Sequence, residues 1–456
     1  MRKLLKGGTV VNASGIETAD VLIDGEKIMQ VAPGLSCADA EVVDVSGKLL
    51  FPGFIDAHTH FDLDVCNTTT ADDFYTGGRS ALRGGTTMVI DFACPNKGES
   101  LQYGLDLWHK KADGKTACDY GFHMTIDDWN DGIIAELPEM FKQGISSFKM
   151  YMTYPAMMVG DEAMFHALRK MKELGGIVGV HCENAGVIDA LIAEKKAAGE
   201  LSPAAHPQCR PSILEAEAIS RLLKMAELAD VPVVIVHLSS EDGLQEVRAA
   251  RARGQKVFVE TCPHYLLMEA SLYSKPDFEG AKYVCAPPLR QKADNEALWS
   301  ALANDEIQTV STDHCSFTLK QKDAGRNDFT KIPGGMPGVE TRGVLMYTYG
   351  VAAGRISAEK MAALLSETPA KLYGVYPRKG HIAAGADADI VVYEPQGKTV
   401  ITAADQVANV DYAPYEGWEI AGHIAQVYLR GTLAVEEGKV LEDRGGKYIS
   451  RGKSVL

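Results

Sequence analysis

Between residues 51 and 375, short apolar runs alternate with segments of helical periodicity, and this alternation constrains the fold more than any other feature. It is typical of βα units that build a parallel sheet. Eight apolar runs have the length of strands, at 50–58, 86–93, 120–126, 146–152, 176–181, 231–237, 256–262 and 307–314. Helical periodicity is clearest between them over 212–229 and 244–254. Eight such units predict an α/β fold, a (β/α)8 barrel of the TIM type.

A doubly wound open sheet is the alternative arrangement of the same units. A chain with such a sheet would be expected to contain a glycine-rich phosphate-binding turn after one of its strands. The pattern GxGxxG is absent from this sequence, so the barrel is preferred.

The two ends of the chain differ from the middle and resemble each other. Both the first 50 residues and the residues after about 385 contain short strand-like runs broken by Gly, Asn and Asp. We predict that the two ends pair into one small β-sandwich. The expected division is 1–50 and 376–456 for the sandwich and its tail, and 51–375 for the barrel.

The net charge and the hydrophobicity limit which partners the chain is expected to bind and in which cellular compartment it is expected. The chain of 456 residues carries a net charge of −15, which argues against nucleic acid or an anionic membrane surface as a partner. No apolar run reaches transmembrane length and no signal peptide is recognised at the start, so the cytoplasm is predicted. The nine cysteines form no CxxC pair, and we expect reduced thiols.

Five metal-ligand side chains stand at the ends of four predicted strands: His58, His60, His181, His237 and Asp313. Barrel active sites lie at the C-terminal ends of the strands, so these groups should converge on one face. His58 and His60 are two residues apart and point the same way on a strand. Each of these residues alone is ordinary, since a single histidine is usually a satisfied core residue. The common placement of all five favours a metal site.

Other polar residues near strand ends are weaker candidates. His264 follows a strand in ETCPHYL, but we expect it and Glu260 to organise a loop. His314 neighbours Asp313 and should have a supporting or structural role. His123 lies inside a predicted strand and not at its end.

Lys149 lies in the apolar and aromatic stretch ISSFKMYMTY, where a buried ammonium is costly unless it is paired or neutralised. Three interpretations remain open from the residues alone. The lysine could reach the rim or pair with Asp313, or it could form a Schiff base. Alternatively, its amine could react with carbon dioxide to give a carbamate that bridges two metal ions.

A set of motifs in a fixed order gives the sequence a family resemblance. GFIDAHTHFD, SSFKMYMTY, GVHCEN, VIVHLSS, ETCPHYL, CAPPLR and STDHCSF together resemble the cyclic amidohydrolases, and most closely the dihydropyrimidinase and hydantoinase branch. The resemblance covers essentially the whole chain, including KGHIAAGADADIVV and APYEG near its end.

The resemblance implies a binuclear zinc site, which other divalent ions would also suit. His58, His60 and Asp313 would hold one ion, and His181 and His237 the other. Carbamylated Lys149 and a hydroxide would bridge them, and Asp313 would also move the proton during catalysis.

The resemblance also implies how the substrate is held. Tyr154 would polarise the substrate carbonyl, a role for which Tyr151 is an equal candidate without the resemblance. Ala286 and Gly334 would bind the ring through their main chains. Relatives usually carry serine and asparagine at these two positions, so this chain departs from the family at both.

The implied activity is the hydrolysis of a cyclic amide, in dihydropyrimidines or 5-substituted hydantoins, to an N-carbamoyl amino acid. Allantoinases and dihydroorotases are the nearest alternatives, but dihydroorotases commonly carry an arginine soon after HxH, where this chain has Phe61 and Asp62. The alternative from another functional class is a non-catalytic protein of the collapsin-response-mediator kind. Such proteins lack the metal ligands, whereas this chain has a suitable residue at every ligand position. The family is usually tetrameric or dimeric.

The resemblance also implies that four residues lie near the exocyclic group of the substrate: Leu63, Val65, Tyr151 and Met158. They are mostly apolar, which favours an unsubstituted dihydrouracil or a hydantoin with an apolar substituent. D-selectivity toward substituted hydantoins is a hypothesis from the resemblance alone.

Overall fold

The computed structural model describes residues 2–456, which form two large sheets and the helices around them. The strands are β1 Arg2–Asn12, β2 Gly15–Asp24, β3 Lys27–Ala32, β4 Ala40–Asp44, β5 Leu49–Pro52, β6 Phe54–Thr59, β7 Asp64–Val65, β8 Thr68–Thr69, β9 Thr86–Ala93, β10 Asp119–Thr125, β11 Ser147–Tyr151, β12 Ile177–His181, β13 Val233–Ile235, β14 Val257–Thr261, β15 Thr309–Val310, β16 Ile390–Val400, β17 Glu419–Leu429, β18 Thr432–Glu436 and β19 Lys439–Val440. The α-helices are α1 Phe74–Arg83, α2 Leu101–Ala112, α3 Asp131–Lys142, α4 Asp161–Leu174, α5 Ala185–Ala197, α6 Ala205–Gln208, α7 Ser212–Ala229, α8 Glu241–Ala252, α9 Pro263–Leu267, α10 Lys292–Ala303, α11 Leu319–Lys322, α12 Arg342–Met346, α13 Ala358–Ala362 and α14 Thr368–Leu372.

The central sheet is the predicted barrel. Its eight strands follow the order β6, β9, β10, β11, β12, β13, β14, β15, and each neighbouring pair is parallel. A parallel bridge between Thr59 and His314 brings the two ends of this row together. All residues of β6 and β9 to β14 are buried, as expected for parallel strands covered on both faces.

The run predicted as one strand over 50–58 is two strands in two different sheets. β5 pairs with β16 of the terminal sheet, whereas β6 begins the barrel. Gly53 separates them, and a side chain there would collide with Thr87, since an added Cβ would lie 2.1 Å from its Oγ1. This steric requirement places the change of sheet at the glycine.

The second sheet joins the two ends of the chain. Its strands follow the order β19, β18, β17, β16, β5, β1, β2, β3, with β4 paired to β1. The antiparallel pairing of β16 with β5 links the two halves. An apolar cluster including Val10, Val21, Leu50 and Ile390 holds them together. The chain ends therefore form the predicted extra domain beside the barrel.

The last residues pack against the N-terminal ends of the barrel strands. The amide of Ile449 donates to the carbonyl of Tyr120, near the start of β10, at 2.7 Å. Ile449 is buried in an apolar cluster with barrel residues such as Ile177 and Val234. This segment therefore covers the end of the barrel opposite the C-terminal ends of its strands. Within residues 2–456, no helix has the length and apolar character needed to cross a membrane.

Candidate metal centre

A cavity of about 300 Å³ opens at the C-terminal ends of the barrel strands. It is lined by His58, His60, Leu63, Val65, Cys66, Lys149, Tyr151, Tyr154, Met157, His181, His237, Ala286, Asp313, Cys315, Gly334 and Gly335. All nine residues expected at the site from the sequence therefore line one cavity. Of the four residues expected near an exocyclic group, Met158 is not among the lining residues, and its neighbour Met157 takes that place.

Three of the expected ligands form a compact group. Asp313 Oδ1 lies 3.3 Å from His58 Nε2 and 3.1 Å from His60 Nε2. One ligand atom from each residue lies within 4.8 Å of the other two, close enough for one ion to contact all three. The two imidazoles are buried, and two nitrogens and one carboxylate oxygen form a donor set that suits zinc.

The other two histidines face each other across a short gap. His181 Nδ1 lies 3.0 Å from His237 Nε2, and both rings are buried. Their ring centroids are 4.6 Å apart, and the His237 ring is 5.4 Å from that of His58. The geometry thus provides a second pair of nitrogen donors beside the first group.

Lys149 lies between these groups and is 1 % exposed. Its Nζ lies 3.3 Å from His58 Nε2, and it stands over the rings of Phe92 and Tyr151 at 5.0 and 5.2 Å. Burial lowers the pKa of Lys149 to about 8. The residue is therefore easier to convert to its neutral amine than an exposed lysine.

The charge states around the cavity suit cation binding. Burial, together with the charge of Lys149, lowers the pKa of His58 well below its usual value. Burial likewise lowers the pKa of His237, with His181 adding to the effect. For Asp313, burial opposes ionisation, but the adjacent His58 and His60 outweigh it and hold the pKa well below its usual range. Neutral imidazoles beside an ionised carboxylate are the forms that bind metals.

Two buried glutamates orient the histidines. Glu260 Oε1 lies 2.6 Å from His58 Nδ1, so that nitrogen donates and Nε2 faces the cavity. Glu183 Oε2 lies 2.8 Å from His181 Nε2, which leaves Nδ1 facing His237. Such carboxylate contacts fix the tautomer and direction of a metal-binding imidazole.

These contacts correct and extend the sequence analysis. Glu260 does not merely organise a loop, because it contacts the His58 ring and also accepts from the His237 amide at 3.2 Å. Glu183 was missed, although its position two residues after His181 on a strand end was a signal. Arg210 donates to Glu183 at 2.5 Å and lies 5.6 Å from the Tyr154 ring centroid.

The remaining histidines have structural surroundings. His314 Nδ1 accepts from the amides of Gly338 and Val339, while its Nε2 lies 3.1 Å from Asp72. His123 bonds Ser147 and the carbonyl of Ala57 inside the barrel. His264 is buried and is not a lining residue.

Three functional candidates have left-handed backbone conformations. The φ angles are +67° at Tyr154, +40° at His237 and +51° at Asp313. Such values are uncommon outside glycine and cluster where a site must aim a side chain precisely. At the ends of the strands, these backbone conformations determine the direction of the three side chains. The residue types alone do not predict such conformations.

A second group of acidic residues has metal-like spacing but already surrounds a cation. Asp119, Asp387 and Asp389 come together away from the cavity. Lys379 Nζ lies 2.8, 3.1 and 2.5 Å from them, respectively. The ammonium fills the place that an ion would take.

Comparisons with known proteins found relatives that match the whole chain in sequence and in fold. The sequence model of the Amidohydrolase family matches residues 49–434. The chain is 43 % identical over 458 aligned residues to a D-hydantoinase of Streptomyces coelicolor, covering 99 % of this chain and 98 % of the relative. It superposes on a dihydropyrimidinase from Brevibacillus agri with a TM-score of 0.99, at 43 % identity and full coverage of both chains. An L-hydantoinase from Arthrobacter aurescens gives a TM-score of 0.90 at 30 % identity, covering 99 % of this chain and 100 % of the other.

Proposed function

This chain belongs to the amidohydrolase family, and from that premise we propose that it opens dihydropyrimidine and 5-substituted hydantoin rings to N-carbamoyl amino acids. The reaction class is metal-dependent hydrolysis of a cyclic amide. One observation carries the proposal: six side chains of metal-ligand type and the half-buried Tyr154 line a single cavity.

We assign the ligands as two groups. His58, His60 and Asp313 would hold one zinc ion, and His181 and His237 a second. The fit rests on the short distances within each group and on the glutamates that turn the ring nitrogens toward the cavity. Other divalent ions suit the same nitrogen and oxygen donors.

Carbamylation of Lys149 would complete the ligand set. The neutral amine adds to carbon dioxide and loses a proton, which converts a potential cation into an anion with two oxygens. Burial favours the reactive neutral amine, and the only hydrogen-bonding contact of Nζ within residues 2–456 is His58 Nε2. The carbamate would also supply negative charge between two cations that have only one other carboxylate, Asp313.

Bound divalent ions would lower the pKa of water toward about 7 and polarise the substrate carbonyl. Asp313 accepts the proton of the attacking water and passes it to the ring nitrogen as the C–N bond breaks. Tyr154 donates a hydrogen bond to the carbonyl oxygen as negative charge develops there. Burial raises the pKa of Tyr154 above its usual value, so the phenol remains a donor.

The cavity provides separate surroundings for the ring and for its substituent. The main chains at Ala286 and Gly334 are available to the amide groups of the ring, and nothing lies within 4 Å of the position of a Cβ at Gly334. Leu63, Val65 and Met157 provide an apolar wall for an exocyclic group. This division suits dihydrouracil and hydantoins with apolar substituents.

The alternative substrates differ in charge. Dihydroorotate carries a carboxylate, and no arginine lines the cavity among the residues that the structure describes. Phe61, which follows the HxH motif, is fully buried and packs against Phe74. A non-catalytic binding role is disfavoured because all six ligand positions are filled.

One experiment tests the proposal. Initial rates are compared for dihydrouracil, hydantoin, 5-phenylhydantoin, allantoin and dihydroorotate, with metal analysis of the same sample. We expect the first three to be hydrolysed fastest, with two metal ions per chain. Faster turnover of allantoin or dihydroorotate would show that the proposed substrate class is wrong. Inactive protein without bound metal would favour the non-catalytic alternative.

Stereoselectivity and assembly are part of the same proposal. We expect D-selectivity for substituted hydantoins, because relatives 43 % identical to this chain are D-hydantoinases. A chiral assay that finds the L-carbamoyl amino acid would overturn this expectation. We also expect a homotetramer or homodimer, which light scattering of the purified protein would reveal.

A further inference from the structure

Lys322, at the end of α11, is a second buried lysine near the cavity, and it has an unusual set of partners. It is 1 % exposed. Its Nζ donates to three main-chain carbonyls, those of Val284 at 3.0 Å, Pro333 at 2.9 Å and Gly335 at 2.7 Å. Within residues 2–456, the hydrogen-bond partners of Nζ are these three carbonyls, and none of them is a carboxylate.

The three carbonyls belong to the two chain segments that carry Ala286 and Gly334. Val284 lies two residues before Ala286, and Pro333 and Gly335 flank Gly334. The segments also meet directly, because the amide of Gly335 donates to the Val284 carbonyl at 2.9 Å. One ammonium thus fixes both segments relative to each other from behind the cavity wall.

Burying a cation without an anionic partner costs free energy. For Lys322, the hydrogen bonds to the three carbonyls must offset that cost. An apolar side chain of similar volume would avoid the cost if Lys322 served packing alone. The ammonium does more than pack. By polarising the Pro333 carbonyl, it makes the amide N–H of Gly334, in the same peptide group, a stronger donor.

We infer that Lys322 is a positioning residue that holds the two main-chain segments in the arrangement that receives the amide ring of the substrate. The inference rests on the proposed function, since it assumes that Ala286 and Gly334 contact the ring. It assigns Lys322 to binding and not to bond breaking, because its Nζ points to carbonyls and not into the cavity.

This role predicts a particular kinetic change. Loss of the ammonium should loosen a contact made equally in the ground state and the transition state, which raises KM more than it lowers kcat. Every substrate contains the amide ring, so the rise should be the same whatever the 5-substituent. The zinc ligands do not contact Lys322, so metal content should be unchanged.

The test uses the full-length metal-loaded enzyme and two substitutions. Lys322→Met removes all three donors, and Lys322→Gln keeps two N–H donors without the charge. Lys320→Met is the matched control, because Lys320 lies on the same helix and is exposed. KM and kcat are measured for dihydrouracil, hydantoin and 5-phenylhydantoin, alongside melting temperature and bound metal.

We expect KM to rise about 10-fold in Lys322→Met and less in Lys322→Gln, by the same factor for all three substrates, with kcat within about 3-fold of wild type. If Lys322→Met does not fold, the KM of Lys322→Gln decides. An unchanged KM, a rise that depends on the substituent, loss of metal, or unfolding of both variants would overturn the inference. Wild-type enzyme that hydrolyses no cyclic amide would instead overturn the proposed function, and this inference with it.

Discussion

Three buried lysines of this chain show how surroundings decide what one residue type does. Lys379 is surrounded by three carboxylates, which outweigh burial and raise its pKa above the usual range. Lys322 bonds three neutral carbonyls, and Lys149 faces imidazoles and aromatic rings. Burial lowers the pKa of both to about 8. Of the three, Lys149 is the one with a free path to the cavity and the fewest hydrogen bonds to lose.

If carbamylated Lys149 bridges two metal ions as proposed, Lys149→Ala should lose most of its bound metal and most of its activity. Elemental mass spectrometry measures the metal content per chain, and the hydrolysis rate is measured with dihydrouracil. Lys172→Ala, at an exposed ion pair with Asp230, is the control and should behave as wild type. Two metals per chain with normal turnover in Lys149→Ala would refute the bridging role.

Glu183→Gln should weaken metal binding by about 10–100-fold, since the carboxylate that orients His181 is lost. Burial alone would raise the pKa of Glu183, but Arg210 and His181 lower it to about 2, so the native group is anionic. Competition with a chelator measures the affinity. The exposed Glu194→Gln serves as the comparison, and equal affinities in the two variants would contradict the orienting role.

At the scale of elements, the sequence predicts strands better than it predicts side-chain direction. The eight barrel strands are readable because parallel strands buried on both faces are continuous apolar runs. The change of sheet at Gly53 is not readable, since it depends on the neighbouring Thr87. The left-handed backbone at His237 and Asp313 likewise follows from tertiary contacts and not from residue type.

The short helix α11 connects two parts of the cavity wall. While Lys322 bonds the segments that carry Ala286 and Gly334, Gln321 reaches the hairpin of β7 and β8. Its Nε2 donates to Thr68 Oγ1 at 2.8 Å and to the Thr69 carbonyl at 2.7 Å. That hairpin carries Val65, part of the apolar wall. Adjacent residues of one helix therefore hold two separate parts of the cavity wall, the segments of Ala286 and Gly334 and the hairpin that carries Val65.

Gln321→Ala should reduce kcat/KM for 5-phenylhydantoin by about 10-fold and change that for dihydrouracil by less than about 2-fold. The reason is that the released hairpin no longer presents its apolar wall to the phenyl group. Steady-state kinetics with both substrates give the ratio, with Lys320→Met as the control. An equal loss for both substrates would mean that the hairpin does not set this preference.

At the scale of the whole molecule, buried charges join the barrel to the terminal sheet. Asp119 begins β10, whereas Asp387 and Asp389 precede β16, and Lys379 bonds all three. Arg430, which follows β17, also pairs with Asp119. Removing one partner from a buried group of this kind leaves charges without compensation.

Lys379→Met should destabilise the protein at pH 7 by about 3–5 kcal/mol. Because the folded state raises the pKa of Lys379, deprotonation of the lysine itself removes stability only as pH rises above its ordinary pKa of about 10, and any change in acid comes from its carboxylate partners. The difference in unfolding free energy between wild type and Lys379→Met should become smaller in acid. At low pH, the carboxylates that have lost their partner can take up protons. Urea unfolding at several pH values measures both effects.

The exposed pair of Lys398 and Glu419 provides the control, and Lys398→Met should cost less than about 1 kcal/mol. A deficit for Lys379→Met that is equally small, or that does not change with pH, would mean that the cluster does not stabilise the junction.

The pairing of β5 with β16 has a consequence for how the protein is made. Roughly 340 residues separate these partners along the chain, and a ribosome needs about 20–70 s to synthesise them. During that time the first strands are outside the ribosome with an apolar edge and no neighbour to cover it. Their protection until the last strands emerge falls to the barrel, to chaperones or to a neighbouring nascent chain. Expression yield should therefore fall when translation is slowed anywhere between the codons of β5 and β16, and should not respond to slowing before β5 is made.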